Sequence, residues 1–204
     1  MEQTECPTDI TGCRFTVAVM SDDFVPKILG AIKNVDTGKV WAKTDTLSTV
    51  YRGKRVHVMD CLKACFAHLN DGQTHITMEA AVSKGCPNVT DSDKDIDNDS
   101  HLAEDDVLLN NTQKKFNVSS KISFYPLGIT DYMDHIAHIV KMGMDKGLCV
   151  ETAHYAMLLR GDINELFSFF DLVLAYAEQN ISHYVLRITL SANSPSENVQ
   201  GAII

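Results

Sequence analysis

The 204-residue chain predicts an α+β architecture built from two successive βαββαβ units. Three observations carry that expectation. Shifting the chain by 108 residues lays residues 22–87 on 130–195 without a gap, with Asp23 on Asp131, Lys33 on Lys141, Arg52-Gly53 on Arg160-Gly161, His75 on His183 and Pro87 on Pro195. Both halves also run through the same order of strand-like and helix-like periodicities. Between them, residues 88–119 hold eight acids against three lysines and show no apolar period. That stretch reads as a solvated acidic linker with one short helix over 104–115, joining a unit at 1–87 to a unit at 120–204.

In the first unit, Cys13 to Met20 alternates and is rich in β-branched residues, which predicts a strand. Ser21-Asp22-Asp23 offers a helix cap, and Phe24, Ile28, Ala31, Ile32 and Val35 then recur at helical spacing. Lys39 to Thr44 and Leu47 to Arg52 read as a hairpin. Val56 to Leu69 carries one apolar stripe of Val58, Cys61, Leu62, Cys65 and Leu69, and Thr74 to Ser83 closes the unit as a strand. The second unit repeats the order. Lys121 to Leu127 is a strand, Asp131 to Met144 a helix, and Leu148 to Thr152 with Tyr155 to Arg160 a hairpin. Asp162 caps a helix to about Glu178, and Ser182 to Ser191 is the last strand. A split βαβ of this order is the ferredoxin-like arrangement, a four-stranded antiparallel sheet with both helices on one face. Two such sheets are expected, each with a helix-free face for the other unit or a second copy to cover.

Composition narrows the function. The chain is 45% hydrophobic and 22% charged, with a net charge of -9. Phosphate backbones and anionic membranes need clustered Lys and Arg, so neither nucleic acid nor a membrane surface is the expected partner. No apolar run approaches the roughly 20 residues that span a bilayer. MEQTECPTDITGC has no basic patch before an apolar run, so a cytoplasmic protein is expected, with its six cysteines reduced. The sequons at Asn88, Asn98, Asn110, Asn117 and Asn180 are then expected to stay unglycosylated.

Two patterns resemble metal sites. His57, Cys61, Cys65 and His68 lie along a single helical stripe, where four ligands cannot converge on one ion, so a core seam is the reading. Asp93 to Glu104 spaces its acids like a calcium loop but has Asn98 where the sharp turn needs glycine. No metal and no cofactor are expected.

The runs GCRFTVAVMSDDF, VWAKTDTLSTVYRG, HITMEAAVSKGCP, HYAMLLRGD and LSANSPS resemble the YkoF family, in order and across both units. The resemblance implies a cytosolic homodimer that binds thiamin or its hydroxymethylpyrimidine precursor without turnover, with one pocket per repeat. It also implies a link to thiamin or pyrimidine uptake or salvage, with a precursor transporter as a candidate partner. Its pocket is lined from the first and third strands of each repeat. That places Val17 and Thr49 at the ligand in the first repeat and Phe124 and Met157 in the second. Met157 departs from the small hydroxyl residue expected there, removing a hydrogen-bond partner and filling space.

Chemistry adds two candidates. Trp41, the only tryptophan, could stack on a pyrimidine or thiazolium ring, or belong to the core or a dimer interface. Asp45, at the hairpin tip, could face the thiazolium cation or cap its own turn. Asp22 and Asp23 suit a helix start, and His75 and His183 a structural hydrogen bond repeated in each unit. The alternatives are a sensing module with ACT-like repeats for another small molecule, or an enzyme drawing on Asp45, His154, His75 and His183.

Overall fold

Residues 10–84, 105–110 and 112–198 are described by the computed structural model. The first unit runs β1 (Thr11–Val19), α1 (Phe24–Lys33), β2 (Trp41–Thr44), β3 (Thr49–Gly53), α2 (Arg55–Leu69) and β4 (Ile76–Lys84). The second runs β5 (Asn117–Leu127), α3 (Tyr132–Asp145), β6 (Cys149–Ala153), β7 (Ala156–Asp162), α4 (Ile163–Asn180) and β8 (His183–Ala192), with one 3-10 turn, Pro195–Asn198, after it. Both βαββαβ units are therefore present. β5 begins at Asn117, so residues 117–119 pair within the second unit's sheet.

Strand alternation sets the two faces of the sheet. Cys13, Phe15 and Val19 are buried on the helix side, while Arg14, Thr16 and Ala18 point to the other side. β4 buries Ile76, Met78, Ala80 and Val82, and β8 buries Tyr184, Leu186, Ile188, Leu190 and Ala192. Each ferredoxin-like sheet would leave its fourth strand as an exposed edge, a template for unwanted pairing. Here those edges pair with each other, antiparallel from Ile76↔Ala192 to Ser83↔Val185. The two four-stranded sheets thereby fuse into one of eight, in the order β2-β3-β1-β4-β8-β5-β7-β6. The units do not cover each other's open faces. The outer edges are β2 and β6, short strands of 4 and 5 residues, the latter with a register shift between Cys149 and Glu151.

All four helices lie on one face. α2 and α4 sit at its centre and touch each other. Arg55 of α2 joins them, its guanidinium pairing with Asp171 and with Glu178 of α4 at 3.0 Å. Asp162 starts α4 with a capping box: its carboxylate accepts from the Asn164 amide at 2.9 Å, and Glu165 reaches back to the Asp162 amide at 3.3 Å. Asp23 and Asp131 occupy the cap positions of α1 and α3 without a side-chain cap bond.

α2 is buried well beyond a single stripe, because more than the sheet covers it. Residues 105–110, part of the span read as a linker helix, form no helix and lie across the first unit instead. Lys39 pairs with Asp105, Lys54 pairs with Asp106 at 2.5 Å, and the Asp105 carbonyl meets His57 Nε2 at 3.0 Å. Asn110 then enters the core at 8% exposure. Its backbone and side-chain N–H groups donate to Asp60 Oδ2 at 2.9 and 3.2 Å, and its carbonyl oxygen accepts from the Asp36 amide at 2.6 Å. A glycan on Asn110 would not fit this arrangement. The calcium-loop pattern from Asp93 to Glu104 lies outside the described residues.

Candidate ligand-binding site

Val17 and Thr49 come together on the helix side of the first unit. β1 and β3 pair with Phe15 opposite Thr49. Val17 lies one pleat further along β1, opposite Met78 of β4. It is half-buried and packs against the core, as do Ile28 and Ile32 of α1. Thr49, at 7% exposure, is the polar side chain of this slot, and its hydroxyl meets the Thr44 hydroxyl at 3.0 Å. Tyr51 follows on the same face, its ring 5.0 Å from that of Phe15 and its hydroxyl buried without a partner. Burial, reinforced by the nearby Cys65, Cys61 and Cys13 thiols, pushes the Tyr51 hydroxyl pKa far up. An apolar cluster with one or two hydroxyls has the chemistry that a flat heterocycle with an amine and ring nitrogens needs.

The second unit builds the same place differently. Ile122, not Tyr or Phe, stands opposite Met157. Phe15 therefore matches Ile122 and Val17 matches Phe124, an offset of 107, whereas Thr49 matches Met157 at 108. Phe124 is 9% exposed and tilts against Tyr184 at 6.0 Å. Met157 is buried beneath α3, where a Cβ on Gly143 would lie 2.9 Å from its sulfur. The thioether of Met157 stands where the first unit has the hydroxyl of Thr49.

Trp41 and Asp45 fall elsewhere. Trp41 is opposite Arg52, which is opposite Gly12, so its side chain lies on the open face, across the sheet from Thr49. Asp45 caps its own turn, accepting from the Leu47 and Ser48 amides at 2.8 Å each, and pairs with Arg14 at 2.8 Å. The Arg14 guanidinium and those amides hold its carboxyl well below the usual carboxylate range. Leu47, read as the first residue of the hairpin's second strand, sits in the turn before β3 and is 84% exposed.

Of the remaining candidates, His75 has a structural partner, while among the described residues the His183 side chain has no matching hydrogen bond, so the pair is not repeated. His75 Nε2 meets Ser191 Oγ at 3.1 Å across the β4–β8 seam. Cys61 donates to the Asp36 carbonyl at 3.4 Å, and burial pushes its thiol up to about 12. Cys65, also pushed up to about 12 by burial, neighbours Cys13. Among the described residues no three metal-ligating side chains converge.

Sequence periodicity missed an exposed apolar pair at the start of α1 and of α3. Phe24 and Val25, at 48% and 50% exposure, stand at the start of α1, and Tyr132 and Met133, at 49% and 59%, stand at the matching turn of α3. Phe24 fits the core spacing of its helix but precedes the sheet's cover. The signal available was its recurrence as an apolar pair 108 residues on.

A scan against family models matches the YKOF-related family twice, over residues 10–89 and 117–197. A Bacillus subtilis (strain 168) protein that carries the provisional name HMP/thiamine-binding protein YkoF is 38% identical over 190 residues, 92% of each chain. No helix among the described residues is long and apolar enough to cross a membrane. With the family's unit matched in each half and a relative aligned along almost all of its length, the chain belongs to the YKOF-related family, in tandem.

Proposed function

We propose that this protein binds thiamin or its hydroxymethylpyrimidine precursor without altering it, through the helix-side slot of each repeat. The relative's name, which joins hydroxymethylpyrimidine and thiamine binding, carries the reading. The slot's chemistry supports it: Val17 offers an apolar wall and Thr49 a hydroxyl able to donate or accept. Phe24 and Val25 give it an apolar rim. In the second repeat Phe124 takes the place of Val17 and Met157 that of Thr49, so the first repeat is the stronger binder.

The role that follows is delivery or retention of the ligand during uptake or salvage, in the cytoplasm, with a precursor transporter as a partner. The open face of the eight-stranded sheet supports a homodimer, since a second copy can cover it. Asp45 is occupied by Arg14, so recognition of thiamin's cationic ring falls to the rim aromatics rather than to this carboxylate. Titration calorimetry with thiamin, thiamin phosphate and hydroxymethylpyrimidine tests the reading. Saturable heat with unchanged ligand in the NMR spectrum is expected, and no heat with any of the three contradicts it.

A further inference from the structure

Among the described residues, five buried side-chain atoms have no hydrogen-bond partner in the protein: the hydroxyls of Tyr51, Ser120 and Tyr184, Nδ1 of His57 and Oδ1 of Asp60. His57 and Asp60 are engaged through their other polar atoms, with the Asp105 carbonyl and with Asn110. The Tyr184 hydroxyl lies near Glu178 and Arg55, at the seam between the two units. Around the Tyr51 hydroxyl stand the Cys13, Cys61 and Cys65 thiols, which are weak donors and weak acceptors.

Packing does not account for this hydroxyl. The Tyr51 ring lies 5.0 Å from that of Phe15, a contact that a phenylalanine would make equally well. An unpaired buried hydroxyl costs stability, so a tyrosine kept here points to a ligand contact. Three residues on the helix side run inward in order. Val17 is half-buried, Thr49 is 7% exposed and Tyr51 is 1% exposed. Tyr51 follows Thr49 on the same face of β3, about 7 Å along the strand. Both hydroxyls are peculiar to the first unit. Cys13 pairs with Tyr51 and Ser120 with Leu159, so Leu159 takes the place of Tyr51 as Met157 takes that of Thr49. Helices α1 and α2 cover this side of the sheet, opposite the open face.

We infer that the Tyr51 hydroxyl is the inner hydrogen-bonding group of the first repeat's ligand site, donating to a ring nitrogen of the pyrimidine. The inference rests on the reading under Proposed function and adds to it the residue that selects a ring with an acceptor nitrogen over its carbon isostere. Burial keeps the phenol protonated and therefore able to donate. A buried hydrogen-bonding group rejects an analogue that lacks its partner more strongly than an apolar wall does.

Calorimetry with hydroxymethylpyrimidine on the full chain, run beside urea unfolding, tests this. Tyr51→Phe should weaken the tighter site at least tenfold while the urea midpoint stays or rises, since the variant loses only an unpaired hydroxyl. Tyr184→Phe, which removes an equally buried hydroxyl at the seam, should leave the tighter site unchanged. A second arm uses the two pyridine analogues that each lack one ring nitrogen. One of them should bind wild type at least tenfold more weakly than hydroxymethylpyrimidine does, and that difference should vanish in Tyr51→Phe. A Tyr51→Phe protein that binds as tightly as wild type overturns the inference and leaves the proposed function standing. So does equal binding of the pyrimidine and both analogues by wild type, a result that needs no variant to fold. Equal weakening by Tyr51→Phe and Tyr184→Phe also overturns it. Absence of binding by wild type overturns the proposed function and the inference together.

Discussion

The sulfur of Met157 lies 2.9 Å from where a Cβ on Gly143 would be. The matching residues in the first unit are Thr49 and Val35, both buried. The exchange of Thr and Val for Met and Gly keeps the local volume nearly constant, which is how cores tolerate change. It also moves bulk onto the strand, from a position that lies just past the end of α1 in the first unit and within α3 in the second.

This pair gives a coupled prediction. Gly143→Ala crowds Met157 against Phe169, and overpacking outweighs the gain in helix propensity. A net loss of about 1 kcal/mol is expected, read from the urea midpoint. Adding Met157→Thr removes the clash, so the double variant should regain most of that loss, and the two effects will not add. Met157→Thr also restores a hydroxyl and space to the second slot. Calorimetry should then show tighter binding of thiamin by the second repeat. A Met157→Thr protein whose binding is identical to wild type contradicts the role given to this position.

Asp60 and Asn110 form the second coupled pair. Asn110→Ala removes the side-chain donor to a carboxylate that is 4% exposed and already has one oxygen unpaired. Leaving a buried charge short of donors costs about 2 kcal/mol. The same change frees residues 105–110 from α2, so amide hydrogen exchange should quicken there ahead of the sheet. Equal exchange in the variant and wild type contradicts the tie.

The buried thiols make a pH prediction. Cys61 and Cys65 are pushed up to about 12, and Cys13 is pushed up as well, in each case chiefly by burial. A raised pKa keeps the neutral thiol, and the thiolate is the reactive form. Alkylation of native protein at pH 8, mapped by mass spectrometry, should modify Cys149 and spare Cys13, Cys61 and Cys65. Unfolding in urea should expose all of them. Modification of Cys61 as fast as Cys149 contradicts the packing described for α2.

Strand and helix positions were legible because the faces of β1, β4 and β8 differ sharply in polarity and the pattern recurs 108 residues on. The joining of β4 to β8 was not. Glu79 and Arg187 face outward whichever strand lies alongside, so their alternation is silent on the edge pairing. The helix read over 104–115 is absent from 105–110: Asp105 and Asp106 are exposed acids, but they meet Lys39 and Lys54, whose positions no local pattern gives. Val17 and Thr49 were placed together by the family resemblance, because a period of two sorts the residues within β1 or within β3 but does not say which face of one strand meets which face of the other. Asp45 could not be read as occupied, since Arg14 reaches it only through the β1–β3 pairing.

In the proposed reading the first repeat holds the ligand on its helix side. A crystal grown with thiamin tests it most directly. Density is expected between β1 and the start of β3, with the pyrimidine against Val17 and a ring nitrogen or amine within hydrogen-bond reach of the Thr49 hydroxyl. Thiamin density on the open face, beside Trp41 or Lys121, with the slot at Thr49 closed, would contradict it.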